Sequence, residues 1–573
     1  MAVSLLLPSL PSINRKRDSV FLRSNHLLKS VMHILAHIPQ AKCSIKLYKV
    51  PHRVVSKCAI RCSATTGSID LQGNPKECDI LSAVSAPNMT RSKTLLDCSS
   101  NSVNDFERQL QEFFLEVKTM LEKGKIDGAV NLLQANFEAV KEQIDEGANG
   151  MEQAAILDII AMGYMSMGEY EIVDNLLEML KEIVGSAKND DMFLDSVLLH
   201  MGTMYAHFRK YEKAMVMYER SLVILEGLFG SNSTFLIPSL LGMAKVYTSI
   251  GRASKAVETY HQALNILEMR RGDVNVDIVV PLVGLGNLFI KEGKAADAEN
   301  CFNRILTTYA NLYGDHDGRV GIAMCSLANA KCAKGSLDEA IELYTKGLQV
   351  IKDSNYINLD DPFMEKIRVD LADLCHTAGR EHEGRELLKE CLLITEEYKG
   401  KEHVSSVTHL LNLATSYSRS KNFVEAERLQ REGLRIMEMR MGPHDPSITV
   451  PMLSLAVTLY YLKRDIEAEH YALEAVGIRE RAFGNKSLPV AEALDCLVSI
   501  HTRMGKDDAE VLALLKRVLS IQEKELGYES EEVVTTLKKI VFYLDKLGQK
   551  DEKLPLQRRL SMLRAKYKGK VYY

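Results

Sequence analysis

Cysteine and histidine are the residues of this chain best suited to metal or redox chemistry, and it has eleven and fifteen of them. Five cysteines lie before residue 100, and the other six are dispersed at Cys301, Cys325, Cys332, Cys375, Cys391 and Cys496. None of these six forms a Cys-x-x-Cys pair. Because a buried free cysteine behaves as a small apolar side chain, we predict core positions for them. The histidines are scattered, and no metal site is predicted.

Other catalytic patterns are missing from the sequence. It contains neither the Gly-x-x-x-x-Gly-Lys-Ser/Thr phosphate loop nor His-Glu-x-x-His. Gly284-Leu285-Gly286 is similar to the start of a dinucleotide fingerprint, but it lies within a predicted helix that no strand precedes. No Ser, His and Asp set stands out. We therefore predict no catalytic residue, no cofactor and no enzymatic activity.

Charge divides the chain into a basic leader and an acidic body. Residues 1–69 hold eleven basic residues and one acidic residue, Asp18, and the rest of the chain carries a formal net charge of −14. The leader is also rich in Ser, as organelle transit peptides are. Ile60-Arg61-Cys62-Ser63-Ala64 resembles the cleavage context of plant chloroplast transit peptides. We predict a transit peptide over 1–64 and a disordered linker over 65–103, against the alternative of a merely basic tail.

A step of 42 residues organises the chain after the linker. One series of small residues is Gly202, Ala244, Gly286, Ala328, Ala372, Ala414 and Ala456, in which every step is 42 except one of 44. A second series in the same phase is Ala214, Ala256, Ala298, Ala340, Gly384, Ala426 and Ala468. A third marks unit ends at Gly230, Gly272, Gly314, Gly400, Gly442 and Gly484. Three series in one phase indicate a structural repeat.

The repeated unit is predicted to be a pair of helices. Small residues such as Gly202 and Ala214 allow two helices to approach closely, and apolar residues at helical spacing form each buried face. Tyr205 would fill the space within a pair, and Tyr218 would wedge against the next pair. Because one pair cannot bury its own apolar face, the units must stack into a solenoid.

The spacing of small and aromatic residues resembles the tetratricopeptide repeat. The longer period, with loops such as Gly442-Pro443-His444-Asp445-Pro446, is similar to the repeats of kinesin light chain and nephrocystin-like proteins. The resemblance implies an all-α, right-handed superhelical solenoid of about ten antiparallel helix pairs. We place degenerate pairs over 104–190, the core array over 191–485, and further repeats with capping helices over 486–573. The eight residues beyond the usual period of about 34 would lengthen the helices and the loops.

The resemblance also implies where binding occurs, because the first helix of each pair lines the concave face of such arrays. Asn side chains at such positions suit an extended peptide backbone, since an amide both donates and accepts hydrogen bonds. Carried onto this sequence, the lining consists of His200, Thr203, His207, Lys245, Asn287, Lys291, Asn329, Asp370, Asp373, His376, Asn412, Arg419, Tyr460, Tyr461, Thr502 and Arg503.

We expect a non-catalytic scaffold in the chloroplast, in the stroma, that grips a protein or peptide and aids assembly of a plastid complex. No apolar run reaches the roughly 20 residues that cross a bilayer. The mixed lining lacks the regular clamp of chaperone-tail receptors. A kinesin light chain-like cytoskeletal adaptor is the alternative, although residues 104–150 show no sustained heptads. An organellar RNA-binding array is a lesser alternative, which the acidic body disfavours. Mitochondrion and cytosol remain the other locations, and the oligomeric state is left open.

Overall fold

The computed structural model of the protein describes residues 100–569, with side chains from residue 106 to residue 566. Every regular element in that range is helical, which confirms the predicted all-α fold. The predicted transit peptide over 1–64 and residues 65–99 of the predicted linker lie outside the described residues. The first helix begins at Ser100, so the last four residues of the predicted linker are helical.

Contacts divide the described chain into two compact units, residues 100–336 and residues 337–569, here called the first unit and the second unit. The first unit consists of α1 (Ser100–Glu122), α2 (Ile126–Asp145), α3 (Met151–Met167), α4 (Tyr170–Ser186), α5 (Leu194–His207), α6 (Tyr211–Phe229), α7 (Ile237–Ser249), α8 (Ala253–Arg271), α9 (Val279–Lys291), α10 (Ala295–Tyr313) and α11 (Gly318–Lys334). The second unit consists of α12 (Leu337–Asp353), α13 (Pro362–Thr377), α14 (Glu381–Lys399), α15 (Val404–Arg419), α16 (Phe423–Met441), α17 (Thr449–Tyr461), α18 (Asp465–Phe483), α19 (Leu488–Met504), α20 (Asp508–Leu526), α21 (Glu531–Lys546) and α22 (Lys550–Gly569).

Consecutive helices pack in pairs within each unit. The turn between the two helices of a pair is only a few residues long, as at residues 208–210, so the helices run antiparallel. The described part of the first unit holds five pairs, α1/α2 to α9/α10, followed by α11. That of the second unit holds α12 and five pairs, α13/α14 to α21/α22. This succession confirms the predicted solenoid of about ten pairs.

The turn after α3 shows how the sequence ends a first helix. Gly168 has φ 83°, a left-handed conformation that side chains other than hydrogen disfavour. Its N–H donates to the carbonyl of Met165, and the next N–H, of Glu169, donates to the carbonyl of Tyr164. These bonds satisfy carbonyl groups that the end of a helix leaves unpaired.

Long second helices and capped loops account for the extra residues of the period. Seven of the described second helices, α6, α8, α10, α14, α16, α18 and α20, are 19 residues long. Short polar side chains cap the loops after these helices: Asn275 Oδ1 accepts from the N–H of Asp277 at 2.9 Å, and Asp445 Oδ1 accepts from Ser447 at 2.8 Å. Longer helices and loops were both predicted from the period.

Aromatic side chains lock neighbouring helices together where glycine leaves room. A Cβ on Gly202 of α5 would lie 2.7 Å from the ring of Tyr218, and one on Gly242 of α7 would lie 2.5 Å from the same ring. Tyr218 is 2% exposed, so its ring fills the space between its own pair and the next one. The predicted wedge is therefore confirmed, and it depends on glycine in both facing helices.

First helices of successive pairs lie closer to one another than second helices do. In the first unit α3 contacts α5, α5 contacts α7, α7 contacts α9 and α9 contacts α11, and in the second unit α15 contacts α17 and α17 contacts α19. First helices therefore line the inner, concave side of each unit, as predicted. Among the described helices, none combines the length and hydropathy needed to cross a bilayer.

Candidate peptide-binding surfaces

One row of side chains follows the concave side of the first unit. It consists of Thr203, Lys245, Asn287 and Asn329, each one residue after the small residue of its first helix. Thr203 and Lys245 are exposed, and the two asparagines are half-buried. The repeat thus brings together four predicted lining residues that are far apart in sequence, and we call them the first-unit row.

The hydroxyl of Thr203 is already engaged within the first unit. It accepts a hydrogen bond from the Tyr218 hydroxyl at 3.1 Å and donates to the carbonyl of Leu199 at 3.0 Å. The wedge that holds α5 against α7 therefore also orients the first member of the row. The same burial raises the pKa of Tyr218 to about 12, so its hydroxyl stays protonated near neutral pH.

Lys245 and Lys291 place two ammonium groups on this side of the first unit. Lys291 donates from Nζ to the carbonyl of Thr248 at 3.3 Å, which ties α9 to the end of α7. Lys245 is exposed, yet the surrounding protein desolvates its ammonium group and lowers its pKa below the usual value. Within residues 106–566, neither ammonium group has a carboxylate as an ion-pair partner.

The helices that carry these lysines have no acidic residue. The sequences of α7, α9 and α11 contain Lys245, Lys291, Arg319, Lys331 and Lys334, with neither Asp nor Glu. Arg319 pairs with Asp317, and both Lys331 and Lys334 pair with Glu299, whose pKa they lower. Local carboxylates therefore neutralise the cations of α11 but not those of α7 and α9.

The two histidines predicted for the first unit differ in their surroundings. His207 is exposed, and its ring centroid lies 5.2 Å from that of Tyr170. His200 is only 7% exposed, and its Nδ1 lies 2.5 Å from Oδ2 of Asp158. The structure therefore places His200 in the interior rather than on the exposed lining, because α3 supplies a buried carboxylate that the repeat pattern does not reveal.

Charged residues of both signs meet on α13 and α15 of the second unit. Asp370, Asp373 and His376 lie on α13, and Arg419 at the end of α15 approaches Asp373 with 3.9 Å between Nη1 and Oδ1. Burial, reinforced by the positive charge of Arg419, lowers the pKa of His376. At neutral pH this part of the lining therefore presents a neutral imidazole beside an acid–base pair.

Aromatic rings dominate the lining further along the second unit. The guanidinium carbon of Arg503 lies 3.4 Å from the ring centroid of Tyr460, and Arg503 also pairs with Asp465. Tyr461 stacks on Phe423, with centroids 4.9 Å apart and planes 6° from parallel. Phe423 was not predicted as a site residue, although the sequence shows an aromatic residue at the start of this second helix.

Two other predicted residues complete the second-unit lining. Asn412 is half-buried on α15, two residues before the small residue Ala414. Thr502 on α19 is half-buried and accepts a hydrogen bond from the hydroxyl of Tyr543 at 2.8 Å. For every predicted lining residue, the contact with a ligand stays a prediction.

Comparison with known families agrees with this architecture. The profile described as tetratricopeptide repeat matches residues 194–269, 277–353 and 363–439, and a second profile of the same description matches residues 452–488. The chain carries tetratricopeptide repeats. None of the curated proteins compared with the chain matches it.

Solved structures resemble parts of the tetratricopeptide array. BtubC from P. vanneervenii is 15% identical, with 44% of this chain and 93% of that chain covered and a TM-score of 0.32. A putative kinesin light chain from Podosopora anserina is 20% identical, with 35% of this chain and 95% of that chain covered and a TM-score of 0.33. The apo form of RapI is 12% identical, with 65% of this chain and 98% of that chain covered and a TM-score of 0.41.

The described tetratricopeptide helices carry six free thiols. Cys325, Cys375 and Cys391 are buried, and Cys301, Cys332 and Cys496 are half-buried. Burial raises the pKa of Cys391 and of Cys496 to about 12 and that of Cys301 to about 11. A thiol with so high a pKa is a poor nucleophile near neutral pH. Between residues 106 and 566, no cluster of His, Cys, Asp and Glu is placed to hold a metal ion.

Proposed function

We propose that this protein is a non-catalytic scaffold that binds a polypeptide on the concave side of its tetratricopeptide repeats, and that the first unit takes an acidic segment. Tetratricopeptide arrays in general present a curved wall of helices to a protein partner. The bound segment would lie along the first-unit row, with its backbone against the asparagines and a carboxylate at Lys245.

The observation that carries this proposal is the lack of acidic residues on α7, α9 and α11. Lys245 therefore has no internal counter-charge, and desolvation by the surrounding protein lowers the pKa of its ammonium group. A carboxylate brought to that position restores a favourable interaction for the ammonium group, and charge-assisted hydrogen bonds are stronger than neutral ones. An acidic side chain is the polypeptide group that best fits this place.

The second unit offers a different chemistry at the same repeat position. There the residues one after the small residue are Asp373, Thr415 and Val457, which include no cation. An acidic segment should therefore prefer the first unit. This contrast gives the proposal an internal control, because both units present the same helical framework.

Binding of defined peptides tests the proposal. A fluorescent glutamate-rich peptide and its glutamine analogue would be titrated with the full chain and followed by anisotropy. We expect Lys245→Glu to weaken the glutamate peptide at least about tenfold, since a lost charge-assisted bond is worth about 1.5–3 kcal/mol. Lys255→Glu, an exposed change of the same charge on α8, should leave binding unchanged. Equal affinity for the two peptides would reject the acidic partner.

The asparagines supply a second test, which separates the two units. Asn287→Ala and Asn329→Ala should each weaken binding of the glutamate peptide, because each removes an amide from the first-unit row. Asn412→Ala in the second unit should not. Circular dichroism serves to check that helicity is unchanged in all three variants. If Asn412→Ala weakens the peptide as much as Asn287→Ala does, the peptide does not lie where we propose.

We also propose that the scaffold acts in the chloroplast, in the stroma, where it aids assembly of a plastid protein complex. The support is the basic, Ser-rich and nearly acid-free leader over 1–69 and its chloroplast-type cleavage context at residues 60–64. Import of a fluorescent fusion of the full chain is the test. Fluorescence inside chloroplasts that is lost on deleting residues 1–64 is expected, and a cytosolic or mitochondrial signal from the full chain would reject this location.

A further inference from the structure

Helix α3 is covered on the side where later first helices are open. By the 42-residue step, its lining positions are Asp158, Ala161, Tyr164 and Met165, and these are 4%, 0%, 7% and 3% exposed. At the equivalent positions of α7, Lys245 and Ser249 are exposed. Something in the first unit therefore covers the concave side of α3.

Helix α1 has the side chains to do this. Phe106, Phe113, Val117 and Leu121 are all buried, at spacings of seven, four and four residues that place them on one face. They belong to the same apolar cluster as Ala161, Tyr164 and Met165 of α3. The apolar stripe of α1 and the buried residues of α3 thus belong to one hydrophobic core.

The position of α1 differs from that of an ordinary first helix. It packs less extensively on α2 than the two helices of any later pair within a unit pack on each other, whereas it contacts α3 as the later first helices contact one another. A Cβ on Gly163 of α3 would lie 3.3 Å from Cγ1 of Val117. At the other end of α1, the ring of Phe106 lies 5.6 Å from that of Phe193, directly before α5. Helix α1 therefore runs along α3 and reaches α5.

The charged residues of α1 are mostly acidic. Its sequence holds five acidic residues, Asp105, Glu107, Glu112, Glu116 and Glu122, against two basic ones, Arg108 and Lys118. Helices α3 and α5 carry Glu152, Asp158 and Asp195 and neither Lys nor Arg, so the apolar stripe of α1, and not its charge, fits this surface.

We propose that α1 occupies in cis a helix-binding surface on the concave side of α3 and α5, and that an amphipathic helix of a partner takes its place when α1 is released. This inference rests on the proposed function, because covering the surface regulates binding only if the concave side binds polypeptide. Apart from Asp158, the lining positions of α3 carry buried apolar or aromatic side chains, among them Tyr164 and Met165. The partner helix therefore needs apolar residues at the same spacing as those of α1.

Release of α1 in the full chain tests the proposal. Val117→Asp puts a charge on a side chain that is 1% exposed, whereas Thr119→Asp puts the same charge on the opposite face of the same helix. We expect hydrogen exchange of the α3 amides to rise at least about tenfold in Val117→Asp only, with α7, α9 and α11 still protected. Unchanged exchange in α3, or loss of protection throughout the first unit, would overturn the proposal, since α1 would then be either absent from α3 or an inseparable part of the core.

A labelled peptide of residues 100–122, added in trans, provides the second measurement. It should bind the Val117→Asp chain and bind the unchanged chain and Thr119→Asp at least about tenfold more weakly. Equal binding to all three chains, or no binding to a Val117→Asp chain whose α3 exchanges freely, would overturn the helix-binding surface. The outcome is independent of Lys245, so its failure would leave the glutamate-peptide test standing, and the reverse also holds.

Discussion

The imidazole of His200 on α5 lies against the carboxylate of Asp158 on α3, with 2.5 Å between Nδ1 and Oδ2 and with almost no exposure of either side chain. The two residues are 42 positions apart and occupy the same place in successive repeats. The neighbouring Asp158 charge and hydrogen bond raise the pKa of His200 against the opposing effect of burial, and burial raises the pKa of Asp158. The pair therefore retains protons in the folded first unit that the unfolded chain would release.

Stability of the first unit should fall as pH rises. Because the folded state binds more protons than the unfolded state, the free energy of unfolding decreases with pH. The contribution of His200 is complete below the unfolded pKa of about 6.5 and is lost as pH rises through its higher folded pKa. Urea unfolding followed by circular dichroism at mildly acidic and mildly alkaline pH measures the difference.

Variants of the same pair separate the linkage from other pH effects. Asp158→Asn leaves a buried imidazole without its counter-charge, which we expect to cost about 3–5 kcal/mol below pH 6.5. The variant His200→Gln should abolish the pH dependence assigned to the pair. The lowered pKa values of His376 and His409 act in the opposite direction in the second unit, so the comparison is made between the unchanged chain and His200→Gln. The same change of stability with pH in both chains would contradict the direction of the shifts.

Filling the space beside Tyr218 should destabilise the first unit. A Cβ on Gly242 would lie 2.5 Å from Cε1 and Cζ of Tyr218, so Gly242→Ala forces the ring to shift at a cost of about 1–3 kcal/mol. Gly227 in α6 is the matched control, because a Cβ there meets nothing within 4 Å. Gly227→Ala should stabilise by about 0.5–1 kcal/mol. Denaturant titration compares the two, and equal effects would show that the ring does not lie where described.

Affinity for an acidic peptide should fall as pH rises through the pKa of Lys245 in the free chain. Desolvation lowers that pKa, and a bound carboxylate favours the protonated amine, so the complex holds a proton that the free protein has begun to lose. Anisotropy titrations from neutral to alkaline pH measure this loss. The variant Lys245→Arg keeps its charge over the whole range and should give a flatter profile. Identical profiles for the two chains would exclude Lys245 from the contact.

The two thiols whose pKa is raised to about 12 should resist alkylation until the helices unfold. With a pKa of about 12, Cys391 and Cys496 have about three orders of magnitude less thiolate near pH 8 than an ordinary cysteine. Iodoacetamide labelling resolved by peptide mass spectrometry should show slow modification of both in buffer and rapid modification in urea. Rapid labelling of Cys391 in the folded chain would instead indicate an accessible, activated thiol.

The period of 42 residues and the helical spacing of apolar residues were sufficient to predict the all-α succession of helix pairs. Residues of the types found at Gly202, Ala214 and Tyr218 recur in a pattern that only close helix packing explains. Each of these residues packs within its own helix pair or against the neighbouring pair. The concave position of the first helices was implied by the resemblance to the tetratricopeptide repeat. These properties depend on packing between residues that lie close together in the sequence, so the sequence of one chain is enough to predict them.

The surroundings of individual lining residues depended on the tertiary structure. At the same repeat position that leaves Asn412 half-buried, His200 is sealed in the interior, because Asp158 comes from a different helix pair and α1 covers that side of α3. Lys245 differs from Lys331 because Glu299 neutralises only the latter. Burial and counter-charge are set by side chains from other parts of the chain, so helical periodicity predicts which face a residue occupies but not what lies opposite it.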